Sequence, residues 1–184
     1  TIKSQEAIQQ AQQLAQGFGH QQIENEHIFK ALFEVDENVL PFILKKLNVN
    51  VSLLQQILDK ELQSFAKVSG AELMISREAS KALNEASIIA KKMNDDYVSI
   101  EHLILAIFKS KSKVAQILKD QGVTEKGLNS AIEELRKGDR VTSQSQEETY
   151  NSLMDKQISE AKSKNPVISI DKLFNNNLEN FRSR

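Results

Sequence analysis

An internal repeat limits the possible folds of this chain more than any other feature. When the chain is shifted so that Thr1 falls on Ser76, similar residue types align without a gap for more than thirty positions. After a one-residue slip near positions 36–38, the match resumes. The matched pairs include Ala7 with Ala82, Ala11 with Ala86, His27 with His102, and Val49 with Val123. Self-similarity of this kind predicts two copies of one supersecondary unit.

The matched positions are mostly small or apolar, and they recur at steps of three and four residues. This spacing is typical of the buried face of an α-helix. The chain has only two prolines and six glycines, and the segment 1–140 is rich in good helix formers. We therefore predict an all-α fold, in which two tandem four-helix repeats form one globular domain with a pseudo-two-fold axis.

The repeat also predicts the boundaries of the domain, which we place at residues 1–138. The predicted parts are repeat one at 1–64, a connector at 65–75, repeat two at 76–138, a linker at 139–153 and an unassigned tail at 154–184. Within the linker, residues 142–148 are all polar, so burial cannot offset the backbone entropy lost on ordering. We expect a mobile arm there. The tail is expected to be helical over 149–163 and poorly ordered around residues 175–177.

Local signals predict where several helices begin. Thr1 and Ser76 are N-cap residue types, whose side-chain oxygen accepts from a free amide of the first turn. Asn25 and Ser99 are the expected N-caps of the second helix in each repeat. Pro41 suits the first turn of a short third helix, where its missing amide costs nothing.

One segment has the glycine spacing of a phosphate-binding loop. Gly122 and Gly127 have the required separation, but Leu128 and Asn129 stand where Lys and Ser or Thr are needed to reach the phosphates and magnesium. The segment also follows a predicted helix instead of a strand. We interpret it as a helix end at Gly122 followed by an N-cap at Thr124, and we expect no nucleotide binding.

The repeated Glu-His pairs at 26–27 and 101–102 could suggest acid–base or metal chemistry. The metal-binding helix spacing is absent, and each copy offers only one imidazole. We expect both histidines to be structural, each packed at a helix start and donating to a backbone carbonyl. The chain has no cysteine, and no catalytic triad can be assembled. We therefore predict a non-enzymatic chain without cofactor or metal.

Charge and hydropathy exclude two further classes. The net charge of −1 lacks the basic excess of a nucleic-acid-binding protein. No apolar run approaches the ~18 residues of a membrane span, and the polar start lacks the apolar core of a secretory signal. We expect a cytoplasmic protein with neither nucleic-acid nor membrane partners.

Several motifs resemble the Clp N-terminal domain family. They are T-x-K-S-x-E-A at 1–7, I-E-N-E-H-I-F-K-A-L at 23–32 and S-I-E-H-L-I-L-A-I at 99–107. The resemblance covers residues 1–153 and is closest to the N-terminal domain of ClpB-type protein disaggregases. The segment 138–153 is similar to the segment that leads from this domain into the first ATPase module of those proteins.

The resemblance implies a surface for binding unfolded segments, built from a polar cluster beside an apolar groove. The implied residues are Thr1, Asp95 and Glu101 in the cluster, with Tyr97, Val98 and Leu103 as nearby candidates for the groove. An equally open interpretation is that the three polar residues only cap helices and stabilise loops. Tyr97 matches Gln22 in the first copy, so it breaks the symmetry of the repeat, as a contact residue could.

The implied function is that of a non-catalytic N-terminal module of an ATP-dependent disaggregase. It would bind unfolded or aggregated polypeptides weakly and deliver them to an attached ATPase ring. The alternative is a docking domain for folded adaptor proteins, as in ClpA- and ClpC-type unfoldases. A third hypothesis, a hydrolase, needs a site that the sequence does not provide.

Overall fold

A computed structural model describes residues 1–70 and 72–164. Within them it contains nine helices and two two-residue strands, which confirms the predicted all-α class. The helices are α1 (Ile2–Phe18), α2 (Asn25–Val35), α3 (Val39–Lys46), α4 (Val51–Ser64), α5 (Arg77–Lys92), α6 (Ile100–Phe108), α7 (Lys113–Asp120), α8 (Glu125–Arg136) and α9 (Gln146–Lys164). The strands are β1 (Gln22–Ile23) and β2 (Met74–Ile75), which pair in parallel.

The chain divides into two compact units, Thr1–Asn151 and Ser152–Arg184. The first unit contains both predicted repeats, with four helices in each. In the second unit, residues 152–164 continue α9, and the predicted poor order around 175–177 lies outside the described residues. No helix in the described part of the chain is long and apolar enough to cross a membrane.

The two repeats begin and end their helices in matching ways. The Thr1 hydroxyl accepts from the Ser4 amide at 3.2 Å, and the Ser76 hydroxyl accepts from the Ala79 amide at 3.1 Å, as their residue types predicted. Thr124 likewise caps α8. Local chemistry decides these positions, because an N-cap needs only a short side-chain oxygen at the helix start.

The left-handed backbone positions also follow the repeat. Gly19 has a φ of 71° and Asn94 a φ of 57°, and these two positions are equivalent in the two copies. Asn48 at 57° and Gly122 at 86° are a second equivalent pair. Asparagine tolerates this conformation better than most residues with a side chain, so it can replace glycine at a helix end.

The core joins the two repeats into one body. Helix α1 packs on α2, and α5 packs on α6, through alanines that are buried on each first helix. Across the repeats, α3 packs on α8 and α4 packs on α7. Every residue of α6 exposes 5% of its surface or less, which is typical of a central helix.

One predicted N-cap is displaced by a residue. Helix α2 begins at Asn25, so Glu24 holds the N-cap position. Asn25 is fully buried, and its side-chain amide donates to the Ser110 hydroxyl at 3.2 Å. A distant partner therefore decides the role of this side chain, and the local preference of asparagine for N-caps does not.

Candidate functional site

The candidate site is a buried charged network between the start of α6 and the end of α8. Its centre is Arg136, whose side chain is only 8% exposed. The guanidinium contacts the Asp95 carboxylate at 2.9 Å through Nη1 and the Glu101 carboxylate at 3.0 Å through Nε. Both carboxylate side chains are fully buried. Two of the three polar residues implied by the resemblance therefore share one cation.

His102 fixes the orientation of Asp95. The backbone amide of Ser99 donates to Nδ1 of His102 at 2.8 Å, so in the neutral ring the proton must lie on Nε2. That nitrogen donates to Oδ2 of Asp95 at 2.6 Å. Burial is the largest cause lowering the pKa of His102, in keeping with a neutral ring.

This arrangement corrects the prediction that each histidine donates to a carbonyl. The ring instead accepts from a backbone amide, that of Glu24 for His27 and that of Ser99 for His102. The physical reason is that the start of a helix has free amides, whereas its free carbonyls lie at the other end. The structural role expected for both rings matches this geometry.

In the first repeat, the histidine equivalent to His102 is His27, and its ring has a different partner. Nε2 of His27 lies 2.8 Å from Nδ1 of His20, and His20 is the repeat equivalent of Asp95. The His20 ring stacks on Phe18 and meets Phe65 edge to face. An aromatic cluster therefore occupies in repeat one the place where repeat two has an ion pair.

The cation of the network is also specific to the second repeat. Arg136 is the repeat equivalent of Leu62, and Leu62 is fully buried in the first repeat. The same helix position therefore carries a leucine in one core and an arginine in the other. Asp95 and Arg136 both differ from the residues at the equivalent positions of the first repeat. Since that repeat forms the same four helices without them, the fold itself does not require these charges.

The two repeated glutamates also have different roles. Glu26 accepts from the amides of Lys113 and Val114 at 2.9 and 3.3 Å, and so supplements the N-cap residue of α7, Ser112. The start of α3, which Glu101 would cap by symmetry, is capped by Asp36 instead. Glu101 is therefore available for Arg136.

The segment 139–151 covers this network. Val141 and Tyr150 are 0% and 1% exposed, and Glu147 is fully buried. The prediction of a mobile arm is therefore wrong for this stretch. The composition of 142–148 is polar, but the segment has apolar anchors at both ends and finds hydrogen-bond partners on α1 and α6, which composition cannot reveal.

The third implied polar residue, Thr1, binds the covering segment. Its hydroxyl donates to Oε1 of Glu147 at 2.7 Å, and the same oxygen accepts from the Ile100 amide at 3.0 Å. Glu147 therefore lies at the N-terminus of α6, where the helix dipole favours an anion. Thr1, Asp95 and Glu101 therefore each form a hydrogen bond with a residue of the segment 139–151.

Burial controls the protonation of several groups in the network. It is the main cause raising the pKa of Glu147, and the nearby charge of Glu101 raises it further. Burial is also the main cause raising the pKa of Tyr150, which keeps its phenol protonated. Burial opposes the charge of Arg136, but Glu101 and the other acidic neighbours outweigh it and raise the pKa of the guanidinium.

The residues suggested for the apolar groove have different exposures. Tyr97 and Val98 are half-buried in the loop before α6, and Leu103 on α6 is only 3% exposed. The Val98 carbonyl accepts from the Thr1 backbone nitrogen at 2.6 Å. Tyr97 and Val98 are therefore the accessible candidates, whereas Leu103 is accessible only if its surroundings open.

The sequence did not predict Arg136, Glu147 and Tyr150 as members of this network. A signal existed for Arg136, because a charged residue at the repeat equivalent of a core leucine is unusual. An aromatic residue at the end of a polar stretch was a weaker signal for Tyr150. No signal marked Glu147, since an acidic residue in a polar segment is usually solvated.

The described residues contain no group of three or more His, Cys, Asp or Glu side chains that could hold a metal ion. The glycine-spaced segment at 122–128 is a helix connection, in which the Thr124 hydroxyl accepts from the Gly127 amide at 3.0 Å.

Comparisons with known proteins show which family and which proteins the chain is similar to. The model of the family described as Clp repeat (R) N-terminal domain matches residues 1–121. Chaperone protein ClpB of Bacteroides thetaiotaomicron is 50% identical over 153 residues, and that of Porphyromonas gingivalis is 45% identical over the same length. Each match covers 83% of this chain and 18% of the relative, so the chain spans less than a fifth of these proteins.

Solved structures show the same fold. The Hsp104 N-terminal domain from Candida albicans has a TM-score of 0.68 at 22% identity, covering 76% of this chain and 93% of the other. The N-terminal domain of ClpD from Arabidopsis thaliana has a TM-score of 0.58 at 18% identity, covering 75% and 94%. At these identities the likeness establishes the fold alone.

Proposed function

The chain belongs to the Clp repeat (R) N-terminal domain family, and we propose that it is the non-catalytic N-terminal module of a ClpB-type chaperone in the cytoplasm. In this role it binds unfolded or aggregated polypeptide segments, here called clients, and delivers them to an attached ATPase ring. The named relatives are chaperone proteins ClpB, which supports the assignment.

The observation that carries the proposal is the charged network present in one repeat only. Burying an ion pair is seldom more stabilising than burying apolar side chains of similar volume, and repeat one uses Leu62 where repeat two uses Arg136. Charged side chains that the fold does not require indicate a role in the recognition of a partner. We therefore place the client site at Thr1, Asp95 and Glu101, with Tyr97 and Val98 beside them.

The geometry around Asp95 suits an extended peptide backbone. Its carboxylate accepts from the Val141 amide of the chain itself, and the Asp96 amide donates to the Val141 carbonyl. Such a pair of hydrogen bonds recognises the main chain of an extended segment. Binding is expected to be weak, because ordering an unfolded client costs conformational entropy.

Fluorescence anisotropy with labelled, unfolded β-casein tests the proposal on the full chain. We expect wild-type protein to bind casein and Tyr97→Gln to bind it several-fold more weakly. This substitution installs the residue that repeat one has at the equivalent position, and it leaves the network intact. Ile88→Gln, at an exposed apolar residue of α5, is the matched control and is expected to bind normally.

No casein binding by the wild-type chain or by any of its variants would contradict the proposal. Equal binding by Tyr97→Gln would remove Tyr97 from the site. Selective capture of a folded adaptor, with no binding of unfolded casein, would favour the adaptor-docking alternative.

A further inference from the structure

An extended segment of the chain itself lies on the candidate client site. The Val141 amide donates to Oδ1 of Asp95 at 2.9 Å, and the Val141 carbonyl accepts from the Asp96 amide at 2.8 Å. Three residues later, the Gln144 carbonyl accepts from the Ile2 amide at 2.9 Å. The segment therefore satisfies the main-chain groups that would bind a client.

The helical turn that follows fills the rest of the network. Glu147 binds the Thr1 hydroxyl, and the Tyr150 hydroxyl donates to Oε1 of Glu101 at 2.9 Å. Thr1, Asp95 and Glu101 are thus each contacted by this one stretch of chain. Thr142, Ser143 and Gln144 between the anchors remain exposed, so contact is limited to a few positions.

The docked segment leaves part of the network unsatisfied. The second oxygens of Glu101 and Glu147 are buried and have no hydrogen-bond partner. A buried polar atom without a partner costs roughly 1–3 kcal/mol. Glu147 also adds a third carboxylate beside Asp95 and Glu101, which share the single guanidinium of Arg136. The segment is therefore held by its anchors against an opposing cost, and another chain can compete with it.

We infer that residues 141–150 are a built-in ligand of the client site, and that clients are segments which reproduce their chemistry and displace them. This inference rests on the proposed function. The implied client class has an aliphatic residue in extended conformation, followed about six and nine residues later by an acidic residue and a tyrosine. The spacing follows from Val141, Glu147 and Tyr150.

Competition of this kind lowers the observed affinity for clients. Each tenfold excess of the docked form over the open form weakens apparent binding about tenfold. Weakening an anchor without touching the site should therefore tighten client binding. Tyr150→Ala removes one anchor, whereas Thr149→Ala changes an exposed residue on the same helix and serves as the matched control.

The first experiment measures casein binding by the full chain and its variants. We expect Tyr150→Ala to bind about tenfold tighter than wild type, and Thr149→Ala to bind like wild type. A labelled peptide with the sequence of residues 139–153 should bind Tyr150→Ala and not wild type, and unlabelled casein should displace it. Displacement shows that the peptide and the client share one site.

The second experiment fixes the segment in place and does not depend on Tyr150. The chain has no cysteine, so Ile2→Cys with Gln144→Cys introduces a single pair where the two backbones are hydrogen-bonded. Residues this close can meet the geometry of a disulfide. We expect the oxidised form to bind casein at least tenfold more weakly than the reduced form.

The outcomes separate the inference from the proposed function. Equal casein binding by wild type and Tyr150→Ala, or by the oxidised and reduced forms, overturns the inference and leaves the proposed function standing. Casein binding by none of the chains overturns both. If Tyr150→Ala fails to fold, the oxidised and reduced double-cysteine chains alone decide the question.

Discussion

Replacing Arg136 with leucine tests whether the buried network is held together as the structure shows. The substitution installs the residue that the first repeat has at this position. It removes the cation that contacts Asp95 at 2.9 Å and Glu101 at 3.0 Å. Both carboxylates then remain buried without a positive partner, a situation that typically costs roughly 3–5 kcal/mol.

Protonation limits the size of this loss. A buried carboxylate without a cation takes up a proton instead, and at pH 7 this costs about 4 kcal/mol, because carboxyl groups ordinarily titrate roughly three pH units lower. The added leucine offsets a small part through apolar burial. We therefore expect Arg136→Leu to lower the free energy of unfolding by about 3–5 kcal/mol at pH 7.

The same reasoning gives the sign of the pH dependence. At pH 7 the folded state of the variant binds a proton that its unfolded state does not bind. The free energy of unfolding of the variant therefore rises as the pH falls. The difference from wild type should shrink by about 1.4 kcal/mol per pH unit between pH 7 and pH 5. Urea denaturation followed by circular dichroism measures both quantities.

Arg140→Leu is the matched control, because Arg140 pairs with Asp96 at the surface. Those two side chains are 54% and 58% exposed, and exposed pairs contribute at most about 1 kcal/mol. A loss in Arg136→Leu that is no larger than that of the control would refute the buried network. A loss that does not vary with pH would show that no buried carboxylate is left unpaired.

Two other predictions concern the repeat core. The pKa of His27 is lowered to about 4, by burial first and by His20 second, so the folded state disfavours a proton that the unfolded state binds. The free energy of unfolding should therefore fall by up to about 3 kcal/mol as the pH drops from about 6.5 to about 4. In urea denaturation, His27→Asn should lose this dependence of the free energy of unfolding on pH. If the variant keeps the same pH dependence, groups other than His27 cause it. Ala86 is fully buried on α5, so Ala86→Leu should overpack the contact with α6 and lower the free energy of unfolding by about 1–3 kcal/mol. The control Ser87→Leu, at an exposed position, should lower it by about 0.5 kcal/mol or less. Equal melting temperatures for the two variants would show that Ala86 does not lie at a close helix contact.

Local patterns in the sequence predicted four helices in each repeat and several of the helix starts. Thr1, Ser76 and Thr124 cap helices as expected, because capping depends on residues within one turn. The spacing of buried alanines predicted the first helix of each repeat for a similar reason. Both properties depend on near neighbours, so one sequence is enough to find them.

The candidate site was predictable only in part. Thr1, Asp95 and Glu101 were proposed from motif resemblance, and each of them forms a hydrogen bond with the segment 139–151. The shared cation, Arg136, comes from a different helix, two helices further along the chain. A pattern within one segment cannot indicate which distant side chain will face it.

The segment 139–151 shows most clearly what only the tertiary structure decided. By composition, its polar residues 142–148 predict a stretch that cannot offset the entropy of ordering. In the folded chain, Val141 and Tyr150 enter the core and Glu147 meets the N-terminus of α6. The sequence determines which polar and apolar groups a segment offers. Burial of those groups becomes favourable only when the fold brings complementary groups to them. Here the complementary groups belong to the far end of the domain and to α6, which are well separated from the segment along the chain.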